Sequence, residues 1–475
     1  MPTIDENLAF TPASELAALI ADKQVSPVEL AALYFERIDR LDSQLNSYLT
    51  LCRDEAMQAA RDAESAVMRG DSLGSLHGVP ISIKDLELTK GIRTTSGCLV
   101  FRDRIPDEDS IVVERVKASG AIILGKTNTP EFGHRGTTEN LLGEPCRNPW
   151  NTERTPGGSS GGAAAGLAAG LCAISTGSDG GGSVRIPASF CGLYGIKPTQ
   201  GRVPRYGGRA APAIANQLSQ SGPITRTVRD SAILLQALAG RDARDAGSLL
   251  DTPGDYIAAL DRDISGLRIG WSSDFGYAAV DPEVMDVCGK AAQVFGELEC
   301  EVSDSGFTID APQEAFRVLF AVNTYASSGY LLHEHGGDLT DYFRANMEFA
   351  ATQTAADYAR AIGELDIVKA RFDEYFENYD LLLSPTMAVP AFEIEQHPTS
   401  VAGQEVDPFF GYLPFTYPIN AIGHPAASVP CGFSSDGMPI GLHIVGRKGD
   451  EATVLAASAA FERTMPWAHN RPPVS

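Results

Sequence analysis

The sequence lacks the usual marks of membrane, secreted and disulfide-rich proteins. No run of about 18 or more apolar residues occurs in its 475 residues, so we expect no transmembrane helix. The N-terminus is acidic and has no basic segment followed by an apolar one, which argues against a signal peptide. The eight cysteines are scattered without a CxxC pair and indicate buried free thiols in a reducing compartment. We therefore expect a soluble cytoplasmic protein.

Basic residues are also few, since 38 lysines and arginines stand against 61 aspartates and glutamates and leave a net charge of −23. A field of this sign repels phosphate backbones and anionic membrane surfaces, so it disfavours nucleic acids and membranes as partners. The sequence also has no internal repeat, no low-complexity tract and no convincing linker. We expect residues 1–475 to form one domain.

The order of the predicted elements indicates an α/β fold. Residues from about 10 to 70 have helical patterns, and residues 26–29 have the serine, proline and glutamate of a helix-capping box. Strand-like segments such as VPISI and AIILG then alternate with helical ones through a core at about residues 75–245. A glycine-poor stretch at about residues 312–379 predicts helices that pack on the periphery.

Residues 155–197 contain two serines in glycine-rich surroundings, Ser159 and Ser183. The alanine, glycine and leucine between them predict a tightly packed helix. Glycine lets a substrate come close to main-chain N–H groups, so each serine is a candidate nucleophile with amides nearby to bind an oxyanion. Upstream, a predicted strand ends on Lys84, and no histidine lies within either serine segment.

Three other motif matches fail on their context. Residues 120–127 fit the phosphate-loop pattern GxxxxGK[ST], but their Ala-Ile-Ile-Leu centre predicts a buried strand. Residues 157–161 fit GxSxG, but a polar segment ending in proline precedes them instead of an apolar strand. An α/β-hydrolase that uses His424 or His443 is therefore disfavoured. His333 and His335 lack a third clustered ligand, and we interpret them as a polar helix face.

Four segments of the chain resemble, in order and spacing, the motifs of the amidase signature family of serine hydrolases. They are HGVPISIKD, GGSSGG, GSDGGGSVR and CGLYGIKPTQGRVP. The resemblance continues through SGPITRTVRD, LLLSPT and NAIGHPAASVP and covers nearly the whole chain. It implies an α/β fold in which helices cover both faces of a mixed, twisted central sheet. The family usually has GTDTGGS where this chain has GSDGGGS, and a serine is common at Ala163.

The resemblance implies a Ser–Ser–Lys triad with neither a metal nor an organic cofactor. Ser183 would be the nucleophile, Lys84 the base, and Ser159, which carries a cis peptide bond in the family, the bridge between them. Lys84 must then be neutral, and burial at a strand end would lower its pKa because desolvation disfavours the charged form. The remaining implied residues are amides that bind the oxyanion, at Gly180, Gly181, Gly182 and Ser183, and two supporting side chains, Asp179 and Arg185.

These residues predict an amidohydrolase that cleaves a carbon–nitrogen bond of a small-molecule amide or carbamate through an acyl-enzyme. The alternative is the amidase subunit of a tRNA-dependent amidotransferase, which hydrolyses glutamine and passes ammonia to partner subunits. Residues 129–136 differ from the DEFAMGSS-like segment expected of that protein, so a stand-alone amidase is favoured. A homodimer is compatible with the sequence.

The substrate is less well defined by the sequence. Residues 407–417 contain five aromatics, in a part of the chain that often borders the pocket in this family. If they line a pocket, the enzyme should prefer aryl or bulky apolar amides, anilides or carbamates over acetamide. Alternatively, they pin a long loop to the core.

Overall fold

A large mixed sheet forms the centre of the molecule. The structure, a computed structural model, describes residues 5–206, 208 and 218–475. Eleven of its strands form one sheet in the order β1-β3-β2-β4-β6-β5-β12-β13-β9-β7-β8, and β10 and β11 form a separate pair. The strands are β1 (Tyr48–Leu51), β2 (Pro80–Lys84), β3 (Ile122–Thr127), β4 (Ile174–Asp179), β5 (Tyr194–Lys197), β6 (Gln220–Thr225), β7 (Arg268–Trp271), β8 (Glu301–Asp304), β9 (Leu381–Pro385), β10 (Ser400–Val401), β11 (Gln404–Glu405), β12 (Ala426–Phe433) and β13 (Pro439–Gly446).

Helices flank this sheet, and the predicted α/β class is confirmed. None of the helices in the described ranges is long and apolar enough to cross a membrane. The helices are α1 (Ala13–Ala21), α2 (Pro27–Leu45), α3 (Arg53–Arg69), α4 (Ile111–Ala118), α5 (Gly161–Ala168), α6 (Arg185–Cys191), α7 (Val228–Leu238), α8 (Pro282–Glu297), α9 (Gln313–Ser328), α10 (Tyr330–His335), α11 (Asp341–Ala351), α12 (Ala355–Asn378), α13 (Tyr417–Ile422) and α14 (Glu451–Thr464).

The N-terminal segment differs from the purely helical prediction. Between α2 and α3 lies β1, which pairs antiparallel with β3 at an edge of the sheet. A four-residue strand has too little periodicity to be recognised locally, and it forms because the edge of β3 offers unpaired backbone groups. The predicted cap of α2 is present, since the Ser26 hydroxyl accepts hydrogen bonds from the Val28 and Glu29 amides.

The segment that matches a phosphate loop is the buried strand β3, as predicted. Its Lys126 side chain is fully buried and donates hydrogen bonds to the Thr89 and Thr94 hydroxyls and to the Glu87 carbonyl. This lysine therefore holds the loop after β2 and is not available to a phosphate. His333 and His335 lie in the last turn of α10.

The helix between the two glycine-rich serines is α5, and all of its residues are buried. A side chain at Gly162 would run into the backbone of Asn128 and Ser47, so only glycine allows this close approach. The small residues of α5 thus let the helix sit deep in the fold. As a result, Ser159, which lies two residues before the start of the helix, is buried.

Candidate active site

Three neighbouring elements bring the predicted triad residues to one edge of the sheet. β2 ends at Lys84 and pairs in parallel with β4, which ends at Asp179. Because the carboxyl ends of parallel strands meet at the same edge, Lys84 lies beside the loop that carries Ser183. Ser159 reaches this edge from the segment before α5.

Lys84 is fully buried and contacts Ser159 directly. Its Nζ atom lies 2.7 Å from Ser159 Oγ, within a hydrogen bond, and also donates to the Ser178 carbonyl at 3.2 Å. Burial, followed by the positive charge of Arg205, holds the pKa of Lys84 well below its ordinary value, although Asp179 acts in the opposite direction. The amine is therefore poised to be neutral, as a proton acceptor must be.

The segment before α5 fixes the position of Ser159. The peptide bond between Gly158 and Ser159 is cis, as the resemblance implied. A side chain at Gly158 would run into the Thr137 backbone, so the segment packs too tightly there for any residue but glycine. The Ser159 hydroxyl consequently has little freedom to leave Lys84.

A buried ion pair supports the loop after β4. Both Arg185 Nε and Nη2 donate to the Asp179 carboxylate at 3.0 Å, and neither side chain is exposed. The same carboxylate accepts hydrogen bonds from the amides of Gly182 at 2.7 Å and Val184 at 3.2 Å. Burial alone would raise the pKa of Asp179, but the charge and hydrogen bonds of Arg185 outweigh it and hold that pKa below its ordinary range. Asp179 thus organises the loop as a carboxylate.

This pairing changes the predicted set of oxyanion donors. The Gly182 amide is already bonded to Asp179, so it is corrected from a free donor to a structural one. The amides of Gly180, Gly181 and Ser183 donate to no other described residue and remain candidates. The Thr416 hydroxyl donates to the Gly181 carbonyl at 2.8 Å and so fixes the orientation of that peptide.

Two further residues complete the network, and sequence reasoning missed both roles. Asn420 on α13 donates to Asp179 Oδ1 at 2.9 Å and accepts from Arg185 Nη2 at 2.7 Å. His443 on β13 accepts a hydrogen bond from Arg185 Nη1 at 3.0 Å, and burial followed by the Arg185 charge holds its pKa well below the ordinary value. Neutral His443 therefore supports Arg185 and contacts neither serine of the triad. The one available signal was that Asn420 begins NAIGHPAASVP, a segment that carried the resemblance.

Two adjoining cavities are each bordered by one of the two serines. A cavity of about 640 Å³ is bordered by Ser159, and a much smaller one of about 30 Å³ is bordered by Ser183. Gly133, His134 and Phe320 border both. The His134 ring packs against Phe320 in a tilted arrangement with 4.4 Å between centroids, and burial lowers the pKa of His134 to about 3, so this part of the wall is uncharged. The two cavities therefore adjoin each other at these three residues.

The aromatic loop serves both purposes considered from the sequence. Phe409, Phe410 and Tyr417 border the small cavity near Ser183. Tyr412 and Phe415 are fully buried elsewhere, and Phe415 packs edge-to-face on Phe275 with ring centroids 5.1 Å apart. The loop is thus pinned by some of its aromatics while others face the site.

Comparison with known proteins identifies the family. The model of the Amidase family matches residues 29–455. The chain belongs to the amidase signature family. An acylamidase of Rhodococcus erythropolis is 38% identical over 475 residues, covering 98% of each protein. A glutamyl-tRNA(Gln) amidotransferase subunit of Moorella thermoacetica is also 38% identical, over 98% of this chain and 99% of that one.

Solved structures agree with this assignment. A bacterial aryl acylamidase of the amidase signature family superposes with a TM-score of 0.91 at 35% identity over 97% of both chains. A 6-aminohexanoate cyclic dimer hydrolase superposes with a TM-score of 0.88 at 30% identity, over 99% of this chain and all of the other. The protein is accordingly an amidase signature amidohydrolase, a hydrolase that acts on amides.

The glycine at position 182 gives a test of the loop geometry. Its φ of +129° is unfavourable for other residues, and an added Cβ would lie 2.6 Å from Thr416 Cβ and 2.8 Å from Ile186 Cδ1. Gly182→Ala should therefore destabilise the protein by about 1–3 kcal/mol, measured as a lower thermal unfolding midpoint and as lower amidase activity. Gly289→Ala is the control, since Gly289 lies inside α8 with open space around it and should leave the midpoint unchanged or raise it. An unchanged midpoint for Gly182→Ala would contradict the close contacts described.

Proposed function

We propose that this amidohydrolase cleaves carbon–nitrogen bonds by a Ser–Ser–Lys mechanism in which Ser183 is the nucleophile, Ser159 the bridge and Lys84 the base. The observation that carries the proposal is the 2.7 Å contact between the Ser159 hydroxyl and an amine with no exposed surface. A neutral amine can remove a proton from a hydroxyl, whereas an ammonium ion cannot. The Ser183 hydroxyl forms no hydrogen bond within the described residues and borders a cavity, so it is free to meet a substrate.

In the first step, the Ser183 oxygen forms a bond to the amide carbonyl carbon, and the carbonyl electron pair moves onto oxygen. The Ser183 proton passes to Ser159, whose own proton passes to Lys84, so the lysine becomes an ammonium ion. The amides of Gly181 and Ser183, together with that of Gly180, would donate to the new oxyanion. The Thr416 hydroxyl, which donates to the Gly181 carbonyl, fixes the peptide between Gly181 and Gly182 that lies between these donors.

In the second step, the carbonyl re-forms and the carbon–nitrogen bond breaks. The leaving nitrogen takes a proton that returns from Lys84 by way of Ser159, which leaves an ester on Ser183 and a neutral lysine. Water then attacks this ester with the same proton transfers, releasing the acid and restoring the Ser183 hydroxyl. A carbamate presents the same carbonyl–nitrogen bond and would follow the same steps.

The preferred substrates are amides, anilides or carbamates that carry an aryl or bulky apolar group. The proposed reaction uses neither a metal nor an organic cofactor. Aromatic side chains of the large cavity, Phe101, Phe132 and Phe320, support this preference because rings offer a large apolar surface to an aryl substrate. The similarity to an acylamidase and to an aryl acylamidase supports it as well.

Loss of the nucleophile should abolish turnover. With 4-nitroacetanilide as substrate, Ser183→Ala should lower kcat by roughly 10³-fold or more while leaving the circular dichroism spectrum unchanged. Ser189→Ala is the matched control, because Ser189 lies on α6 against Gly441, away from both cavities, and should keep wild-type turnover. Phenylmethylsulfonyl fluoride should label Ser183 in the wild type, as read by peptide mass spectrometry. Comparable turnover by Ser183→Ala and wild type would exclude Ser183 as the nucleophile.

The pH dependence tests the role of Lys84. Since the base must be neutral in the free enzyme, kcat/KM should rise with pH through the lowered pKa of Lys84 and then reach a plateau. The positive charge of Arg205 lowers that pKa, so Arg205→Gln should move the acid limb to higher pH. Arg104→Gln, at a second arginine of the large cavity, should leave the limb in place. A limb that does not move in Arg205→Gln, with chemistry rate-limiting, would argue against Lys84 as the titrating base.

The second candidate function is that of a glutaminase within a larger complex, which the 38% identity to an amidotransferase component supports. Gel filtration and a glutaminase assay distinguish the two. The isolated chain should hydrolyse 4-nitroacetanilide and show no dependence on a partner. Turnover of glutamine only in the presence of a co-purified partner would favour the amidotransferase function instead.

A further inference from the structure

The two cavities differ greatly in size, and each is bordered by a different serine. The large one, of about 640 Å³, is bordered by Ser159, and the small one, of about 30 Å³, by Ser183. We propose that the small cavity receives the acyl part of the substrate and limits it to a short chain such as acetyl or propionyl, while the large cavity receives a bulky amine part. This inference rests on the serine roles proposed above and adds a substrate class to them.

The direction of binding follows from the two serines. The carbonyl carbon must bond to Ser183 Oγ, and the leaving nitrogen must come within hydrogen-bonding reach of Ser159 Oγ to receive its proton. An amide is planar and normally trans, so the substituent on carbon and the substituent on nitrogen point away from each other. The acyl chain therefore extends from Ser183 into the small cavity, and the amine substituent extends from Ser159 into the large one.

The volume of the small cavity sets the length of the acyl chain. A cavity needs about 10–15 Å³ to hold one water molecule, and an engineered cavity that binds benzene measures about 150 Å³. A space of about 30 Å³ suits a methyl or ethyl group and is too small for a phenyl ring or a long alkyl chain. The volume of the small cavity is a small fraction of that of the large one. We therefore expect the enzyme to limit the size of the acyl group much more strictly than the size of the amine.

Three aromatic rings make this limit rigid. Phe316 lies 5.2 Å from Tyr417 and 6.1 Å from Phe410, and Phe410 lies 5.3 Å from Tyr417, measured between ring centroids. All three side chains are buried, and a side chain at Gly181 would already touch the Phe316 ring at 3.4 Å. Rings packed against one another in this way cannot move aside without losing their contacts.

The large cavity is lined by both aromatic and polar side chains. Phe101 and Phe132 provide aromatic surface, while Ser96, Asn323 and Ser327 provide hydroxyl and amide groups. Such a lining fits an aryl amine with polar substituents. Glutamine has the reverse shape, a long polar acyl part and ammonia as the leaving group, so this division of space favours a stand-alone amidase over a glutaminase.

The test is a series of 4-nitroanilides with acetyl, propionyl, butyryl and hexanoyl groups. We expect kcat/KM to be highest for acetyl or propionyl and to fall by about tenfold or more at hexanoyl. With the acyl group fixed as acetyl, replacing 4-nitroaniline by the larger 7-amino-4-methylcoumarin should change kcat/KM by less than about tenfold. A hexanoyl optimum, or a larger penalty for the bulkier amine than for the longer acyl chain, would overturn the assignment of the cavities.

A matched pair of variants on the aromatic loop sharpens the test. Phe410→Ala enlarges the small cavity and should move the optimum to butyryl or hexanoyl, by about tenfold in the hexanoyl-to-acetyl ratio of kcat/KM. Phe415→Ala removes the same ring from the same loop, but Phe415 packs on Phe275 outside the cavity and should leave the ratio unchanged. If either alanine variant fails to fold, the corresponding leucine pair gives the same comparison with a smaller shift.

The outcomes separate this inference from the proposed function. A ratio that does not move in Phe410→Ala or Phe410→Leu, or that moves equally in the Phe415 variants, would overturn the inference, and Ser183 labelling would still support the mechanism. Full activity of Ser183→Ala would instead remove the mechanism and this inference together.

Discussion

A fully buried amine held against a serine hydroxyl, Lys84 against Ser159, is the interaction on which the rest of this site depends. The proposed role of Lys84 as a base relies on the place where β2 ends, which is inside the protein, where the charged form of the amine is poorly solvated. The small residues of α5 bring Ser159 to the same depth. The packing of the core and the chemistry of the site are therefore linked, because any change that admits water to Lys84 would also favour its protonated form.

The buried pair of Asp179 and Arg185 meets a second requirement of this arrangement. The loop that carries Ser183 has to be rigid although it is rich in glycine, and the pair ties its amides to one carboxylate. Removing one member of such a pair typically costs about 3–5 kcal/mol because the other charge is left buried and uncompensated. Further hydrogen bonds to Arg185 come from the uncharged groups of Asn420, His443 and the Thr416 carbonyl.

The sequence predicted the parts of the site that are local in the chain. Ser159 and Ser183 stand in glycine-rich motifs, and the α/β class follows from alternating patterns. The contact of Asn420 with Asp179 spans 241 positions, which no local pattern can encode. The Gly182 amide was assigned incorrectly because its hydrogen-bond partner depends on the folded loop. The strand β1 exists only through its neighbour, and the aromatic loop divides between core and cavity in a way that composition alone cannot distinguish.

Asn420 and His443 are far in sequence from the residues they contact, and this separation affects how the protein folds during synthesis. The ribosome produces Lys84, both serines and Asp179 long before it produces the last strands of the sheet. During that interval the Asp179–Arg185 pair lacks its C-terminal partners, and the central sheet lacks β12 and β13. Assembly of the proposed active site is thus postponed until translation is nearly complete, and a nascent chain that stops earlier carries the proposed catalytic residues without the framework that would align them.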